Sequence, residues 1–252
     1  KASGNFSTAF GSNTTIAGGD YSTAFGGSSQ AFGDNSLAAL GGRTGKGSIE
    51  VSTSGEVIVN RVDGKGDGAV AVGEGAVAEK SYTYAIGQKA QATAENTLAL
   101  GNQAVASKKN SIAIGTGAEA SGEQSFSIGN GNKVSGNNSG AFGDPNTVSG
   151  DGSYAVGNNN TVSGSGSYAI GNNNTIGVND GFVLGSDASV TKAGGVALGK
   201  GSVASMDKGV AGYNPFAQAA STDPLSSTWK STAAAVSVGN ADGSLTRQIT
   251  GV

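Results

Sequence analysis

Ser111-Ile112-Ala113-Ile114-Gly115 is one instance of a phrase that organises the chain. It is preceded by Ala69-Val70-Ala71-Val72-Gly73, Thr83-Tyr84-Ala85-Ile86-Gly87 and Thr97-Leu98-Ala99-Leu100-Gly101. The closing glycine then continues through Gly129, Gly143, Gly157, Gly171, Gly185 and Gly199. The anchor glycines are evenly spaced throughout, from the first interval (87 − 73) to the last (199 − 185), a period of 14. A short period held this strictly predicts a solenoid, each repeat being one coil stacked on the last.

Two strands fit into each coil. The first covers the five residues that end at the anchor glycine. Its large side chains lie three and one before that glycine, as Ile112 and Ile114, Tyr154 and Val156, Tyr168 and Ile170. Its small ones lie four and two before, as Ser111 and Ala113, Ser153 and Ala155. The second strand begins about three residues after the glycine and alternates, as in Ala90-Gln91-Ala92-Thr93 and Ala118-Glu119-Ala120-Ser121. One of its faces is small and inward, the other mostly polar and outward. Gly or Asn at the turns, as in Asn158-Asn159-Asn160 and Asn172-Asn173-Asn174, supplies positive φ where the chain reverses in few residues.

The first strand is free of charge on both faces, whereas a two-strand coil has only one interior. No amphipathic helix exists to cover the second face, so the simplest cover is another copy of the chain. Bulk assigns the faces: Ala113 and Ala155 suit a narrow interior, while Tyr154, Tyr168 and Phe182 are too large for it and face the partner. At a strand spacing of about 4.8 Å, ten coils make a rod of roughly 50 Å. In-register stacking places Thr147, Thr161 and Thr175 in a ladder on the outside, and Ser107, Ser121, Ser135, Ser149 and Ser163 near an outer corner.

Outside the ten coils the pattern varies. Ala9-Phe10-Gly11, Ala24-Phe25-Gly26 and Ala39-Leu40-Gly41 recur with a period of 15 (26 − 11 and 41 − 26), so 1–41 reads as three slightly longer coils. Residues 42–67 break the period: Ser48-Ile49-Glu50-Val51 and Glu56-Val57-Ile58-Val59 alternate at period two around Thr53-Ser54-Gly55, which predicts a β-hairpin or crossing strands. The main roll spans 68–205. From about Met206 the period fails, Pro215 and Pro224 interrupt, and 206–252 reads as a cap and exit segment that hides the open last coil. The chain starts in mid-repeat at Lys1-Ala2-Ser3-Gly4, as expected of a piece of something larger.

Composition excludes several function classes. The 252 residues include 45 Gly, 3 Pro and no Cys or His, and the net charge is −3. No disulfide, thiolate metal site or histidine base is available. No basic field favours nucleic acid or anionic lipid, and no run of about 18 apolar residues forms a membrane helix. No activated nucleophile or general base is visible, so no catalytic, cofactor-binding or metal residue is assigned. Asp63, Asp67, Gly68 and Glu74 partly fit a calcium loop, but Lys65 falls where a ligand oxygen belongs and no helices flank the loop; it reads as a solvated turn. The Gly129-Asn130-Gly131 type of phrase follows the roll period and lacks a following helix, so it is not a phosphate loop. Three aligned Thr are too few for an ice-binding face, and Trp229 is better placed in a buried interface than as an exposed hot spot.

The repeat Ser111-Ile112-Ala113-Ile114-Gly115, with its regular spacing, resembles the YadA-type head of trimeric autotransporter adhesins. Trp229-Lys230-Ser231-Thr232, running into Ala235-Val236-Ser237-Val238-Gly239-Asn240, is similar to that family's Trp-ring region. Leu245-Thr246-Arg247-Gln248-Ile249-Thr250-Gly251-Val252 is similar to the start of its neck. The 42–67 insertion, after Leu40-Gly41-Gly42, is similar to the insertions called FGG motifs, with Leu40 in place of the Phe. The resemblance implies a left-handed parallel β-roll and a homotrimer. It also implies attachment to a Gram-negative outer membrane through a C-terminal barrel outside this sequence. The partners it implies are host extracellular-matrix proteins or cell-surface receptors, with no direct membrane contact by this segment. The alternative is a rigid spacer whose binding domain lies elsewhere in the full protein.

Overall fold

The computed structural model describes residues 1–250 apart from 13, 46, 52–56, 62–65, 215, 217 and 221–227, and no side chains of residues 47–51, 57–61 and 219. Among the described residues every regular element is a β-strand. The chain folds as two units, residues 1–135 and 136–252. Each is a parallel solenoid in which the first strands of successive coils form one sheet and the second strands form the other.

In the unit 1–135 the first strands include Tyr84–Ile86, Leu98–Leu100, Ile112–Ile114 and Phe126–Ile128. Each pairs in parallel with its counterpart in the next coil, so Ala85 lies over Ala99 and Ala99 over Ala113. The second strands are only two residues long, as Gln91–Ala92 and Val105–Ala106. The interior is an alanine stack that includes Ala85, Ala92, Ala99, Ala106, Ala113 and Ala120, all fully buried. Alanine loses no side-chain entropy on burial, and it lets two sheets approach closely.

In the unit 136–252 the same scheme carries larger inward residues. Val148, Val162, Ile176 and Val190 replace alanine in the second strands. The slot just before the first strand changes with them in one coil. It holds Ser139, Ser153 and Ser167 and then shrinks to Gly181, where an added Cβ would lie 2.6 Å from Ile176 Cγ2. At Gly181 the missing side chain makes room for the methyl groups of Ile176 and Val190, as close packing requires.

Positive φ marks the corners. The anchor glycines run from +90° at Gly199 to +136° at Gly101, with Gly185 outside the range. At these anchors the binding constraint is also proximity: an added Cβ on Gly157 would lie 1.9 Å from the Gly171 carbonyl oxygen.

The third coil departs from the expected spacing of 15. Ala38, not Ala39, stacks on Ala24, and Ala39 stacks on Phe25. Two adjacent alanines made the register ambiguous. A one-residue slip exchanges the faces, and the structure keeps Leu37 outside with Ala38 fully buried. Leu40 then enters the left-handed corner with φ of 53°.

The solenoid ladder continues through Arg43–Thr44, which pairs with Gln30–Ala31 and Val77–Ala78, and it is back in register at Asp67. Between them Gly47–Val51 and Val57–Arg61 form an antiparallel pair, with Ile49 opposite Val59. Its turn at Thr53-Ser54-Gly55 lies outside the described residues.

After Val203–Ala204 the chain leaves the solenoid and returns. Val236–Ser237 adds in parallel to Val196–Leu198, with Val236 beside Val196. Ala235-Val236-Ser237-Val238-Gly239 is therefore a further copy of the anchor phrase, and its offset from Gly199 (239 − 199) is no multiple of the period.

Candidate interaction surface

The first-strand sheet places its two kinds of residue as their size demands. Ala85, Ala113, Ala155 and Ala169 point inward and are buried. The large residues point out and form columns in register. In the first unit Tyr84, Leu98, Ile112 and Phe126 make one column, and Ile86, Leu100, Ile114 and Ile128 the other. In the second unit Tyr154, Tyr168, Phe182 and Val196 run beside Phe142, Val156, Ile170, Leu184 and Leu198. Among the described residues they stay half-buried to exposed: Phe142 is 55%, Val156 44% and Leu184 48% exposed. Covering such half-exposed side chains would contribute roughly 1 kcal/mol each. A contiguous apolar face of this extent marks an interaction surface.

The opposite sheet is mostly polar outside, with Val77, Val105 and Val203 as exceptions. Its outward residues include Gln91, Glu119 and Lys133 in the first unit and Thr147, Thr161 and Thr175 in the second, the threonines in register. The Ser column follows the same ladder, with Ser121 and Ser163 bonded toward Val134 O and Ile176 O.

The turns hold residues that sequence reasoning passed over. One left-handed corner slot, two residues before the first strand, is occupied by Asn, Asp, Gln or Gly in most coils. In three it holds Phe6, Tyr21 and Tyr82, with φ of 54°, 54° and 57°. A bulky residue in this region is an outlier costing roughly 1–2 kcal/mol, yet all three rings are exposed. Phe6 stacks on Tyr21 at 5.3 Å, and Phe10 on Phe25 at 5.4 Å. Tyr82, Tyr84, Asn96, Leu98 and Ile112 line an open cleft of about 350 Å³. The signal was present in the period: the slot one repeat away from each of these aromatics is a turn slot.

The Asn runs divide their labour. Asn158 Oδ1 accepts from the Asp144 N–H at 3.0 Å, and Asn159 takes the left-handed corner. Asn160 is buried and donates from Nδ2 to Asn146 Oδ1 at 2.9 Å and to Gly171 O at 2.7 Å. Asn174 repeats the pattern on Asn160 and Gly185. These side chains are satisfied internally.

Of the calcium-like stretch, Asp63 and Lys65 lie outside the described residues. Asp67 Oδ1 accepts the Asp34 N–H, and Glu74 Oε2 accepts from Gln88 Nε2, so both carboxylates serve the coil ladder. Pro215 and Pro224 also lie outside the described residues. Trp229 is half-buried in the single chain. Asp242 is held below the ordinary carboxyl range by hydrogen bonds from the Ser244 hydroxyl and amide.

A family model described as the YadA head domain repeat matches residues 1–14, 17–39, 65–90, 78–104, 92–118, 106–132, 120–144 and 149–174. Together these cover more than half of the chain. Consecutive matches from 78 to 120 start exactly one coil apart, and the gap from 40 to 64 coincides with the antiparallel excursion. No curated protein matches the chain.

Proposed function

The chain belongs to the family of YadA head domain repeats, and from that premise we propose that it is the head of a homotrimeric surface adhesin. The reading is carried by one observation: the large residues of most first strands form two half-exposed apolar columns, while the opposite sheet is mostly polar. Three copies that turn these columns toward a common axis bury them and leave the polar sheets and the 46–65 excursion outside. The function is multivalent attachment to host extracellular-matrix or cell-surface molecules, without catalysis. Several weak contacts on one trimer raise avidity through effective concentration. The surface would be carried on the outer membrane by a C-terminal region.

Light scattering on the chain tests the assembly: a mass three times 24.3 kDa is expected, and a monodisperse single-chain mass overturns it. A binding screen against matrix proteins, with and without residues 46–65, tests the role. The charge-free Thr and Ser columns of the polar sheet favour a second reading, a spacer within a surface fibre. Absence of binding by both forms of the chain would select it.

A further inference from the structure

We infer that Arg247 is the terminating group of the solenoid, its guanidinium filling the place that the backbone of another coil would occupy. Interior coils show what that place requires. The carbonyl just after an anchor glycine accepts an amide from the following coil: Asp187 N–H donates to Asn172 O at 2.9 Å, and Gly201 N–H to Ser186 O at 2.8 Å. The next carbonyl in this series is Lys200 O. The chain has left the period after Ala204, so no amide follows at the same spacing within a coil. Arg247 Nη2 donates to Lys200 O instead.

A second interior contact is reproduced by the same group. Asn160 Oδ1 accepts the Asn174 N–H at 3.1 Å, and Asn174 Oδ1 accepts the Ala188 N–H at 3.0 Å. In the last coil the equivalent slot is Ser202, whose Oγ accepts from Arg247 Nη1 at 2.9 Å. The Val238 carbonyl accepts from Nη1 as well.

Space is matched along with hydrogen bonding. An added Cβ on Gly185 would lie 2.6 Å from the Gly199 carbonyl of the next coil. The same direction from Gly199 meets Arg247 Cζ at 3.0 Å. A planar guanidinium with five donors can satisfy several carbonyls and a hydroxyl at once, which a lysine ammonium cannot do in one plane. The neighbouring sheet is closed separately, by Val236–Ser237 against Val196–Leu198. Strand and side chain together cover the last coil at Val196–Leu198 and at Lys200 and Ser202, where unpaired groups would otherwise face other chains.

The test is hydrogen exchange on the full 252-residue chain, comparing residues 199–204 with the interior stretch 171–176. Arg247→Ala is expected to lower protection of 199–204 by roughly three- to tenfold, because the lost bonds are charge-assisted but solvent-accessible. Protection of 171–176 stays unchanged. Methylguanidinium at millimolar concentration restores part of the loss, and sodium at the same concentration does not. Arg247→Lys falls between the two. Unchanged protection of 199–204 in Arg247→Ala overturns the inference. So does an equal loss in both stretches that methylguanidinium fails to restore, since that is general destabilisation.

Discussion

At the scale of single residues, the coil rests on groups chosen for absence of bulk and for hydrogen bonding rather than for hydrophobic mass. The anchor glycines show the first. At Gly157 the φ of 118° and the 1.9 Å approach of a Cβ to Gly171 O act together. Gly157→Ala is expected to cost on the order of 3 kcal/mol or more, because backbone on both sides must shift. A fall in thermal midpoint confined to within a degree of the parent would contradict this. The buried hydroxyls show the second. Thr83, Thr97, Ser111 and Ser125 each donate to the carbonyl three residues back, at 2.6–2.7 Å. These positions were legible in the sequence as small inward residues. Their role in closing the preceding turn was not, because period and polarity do not show where a hydroxyl points. The strained aromatics Phe6, Tyr21 and Tyr82 escaped notice for a related reason: alternation identifies strand residues, and a turn slot carries no alternation.

At the scale of elements, the two strands of a coil have opposite needs. The second strand is two residues long and buries one, so it is held by its ladder and by the interior alanines or valines. The first strand buries its small face within the chain and leaves the large face open. Ile114→Asp is expected to abolish assembly of the chain, since covering that column would bury an unpaired carboxylate. Size-exclusion chromatography with light scattering reads the result, and circular dichroism checks that the coils remain folded. An unchanged trimer with this substitution would remove the column from the interface. The antiparallel excursion is an element of a different kind. The connection from Thr44 to Val70 occupies 45–69, whereas the equivalent connection from Ala78 to Tyr84 in an ordinary coil occupies only 79–83. The excess is the length of 46–65. The ends of the excursion meet, an added Cβ on Gly66 lying 2.3 Å from Gly45 N.

At the scale of the whole molecule, that geometry makes the excursion a guest on a self-sufficient scaffold. Joining Gly45 directly to Gly66 is expected to preserve strand content and cooperative unfolding, because Gly45-Gly66-Asp67-Gly68-Ala69 has the length of an ordinary connection. Loss of the folded circular-dichroism spectrum would show that 46–65 supports the coils. The sequence by itself determined the solenoid, its period and the side of each strand that faces inward, because a fixed repeat and a strict alternation are linear properties of the chain. It also determined the family, through the same repeat. The tertiary structure decided three matters. It set the register of the third coil, where Ala38 and Ala39 are equivalent in one dimension and differ only by which of them keeps Leu37 outside. It brought Ala235-Val236-Ser237-Val238-Gly239 back onto Val196–Leu198 across an interval that has no period to announce it. It also set Arg247 over Gly199, a contact between groups far apart in the chain that depends on where the returning segment lies in space. Local chemistry fixes what repeats, whereas the ends and interruptions of a solenoid are settled by which distant groups can reach the last open coil.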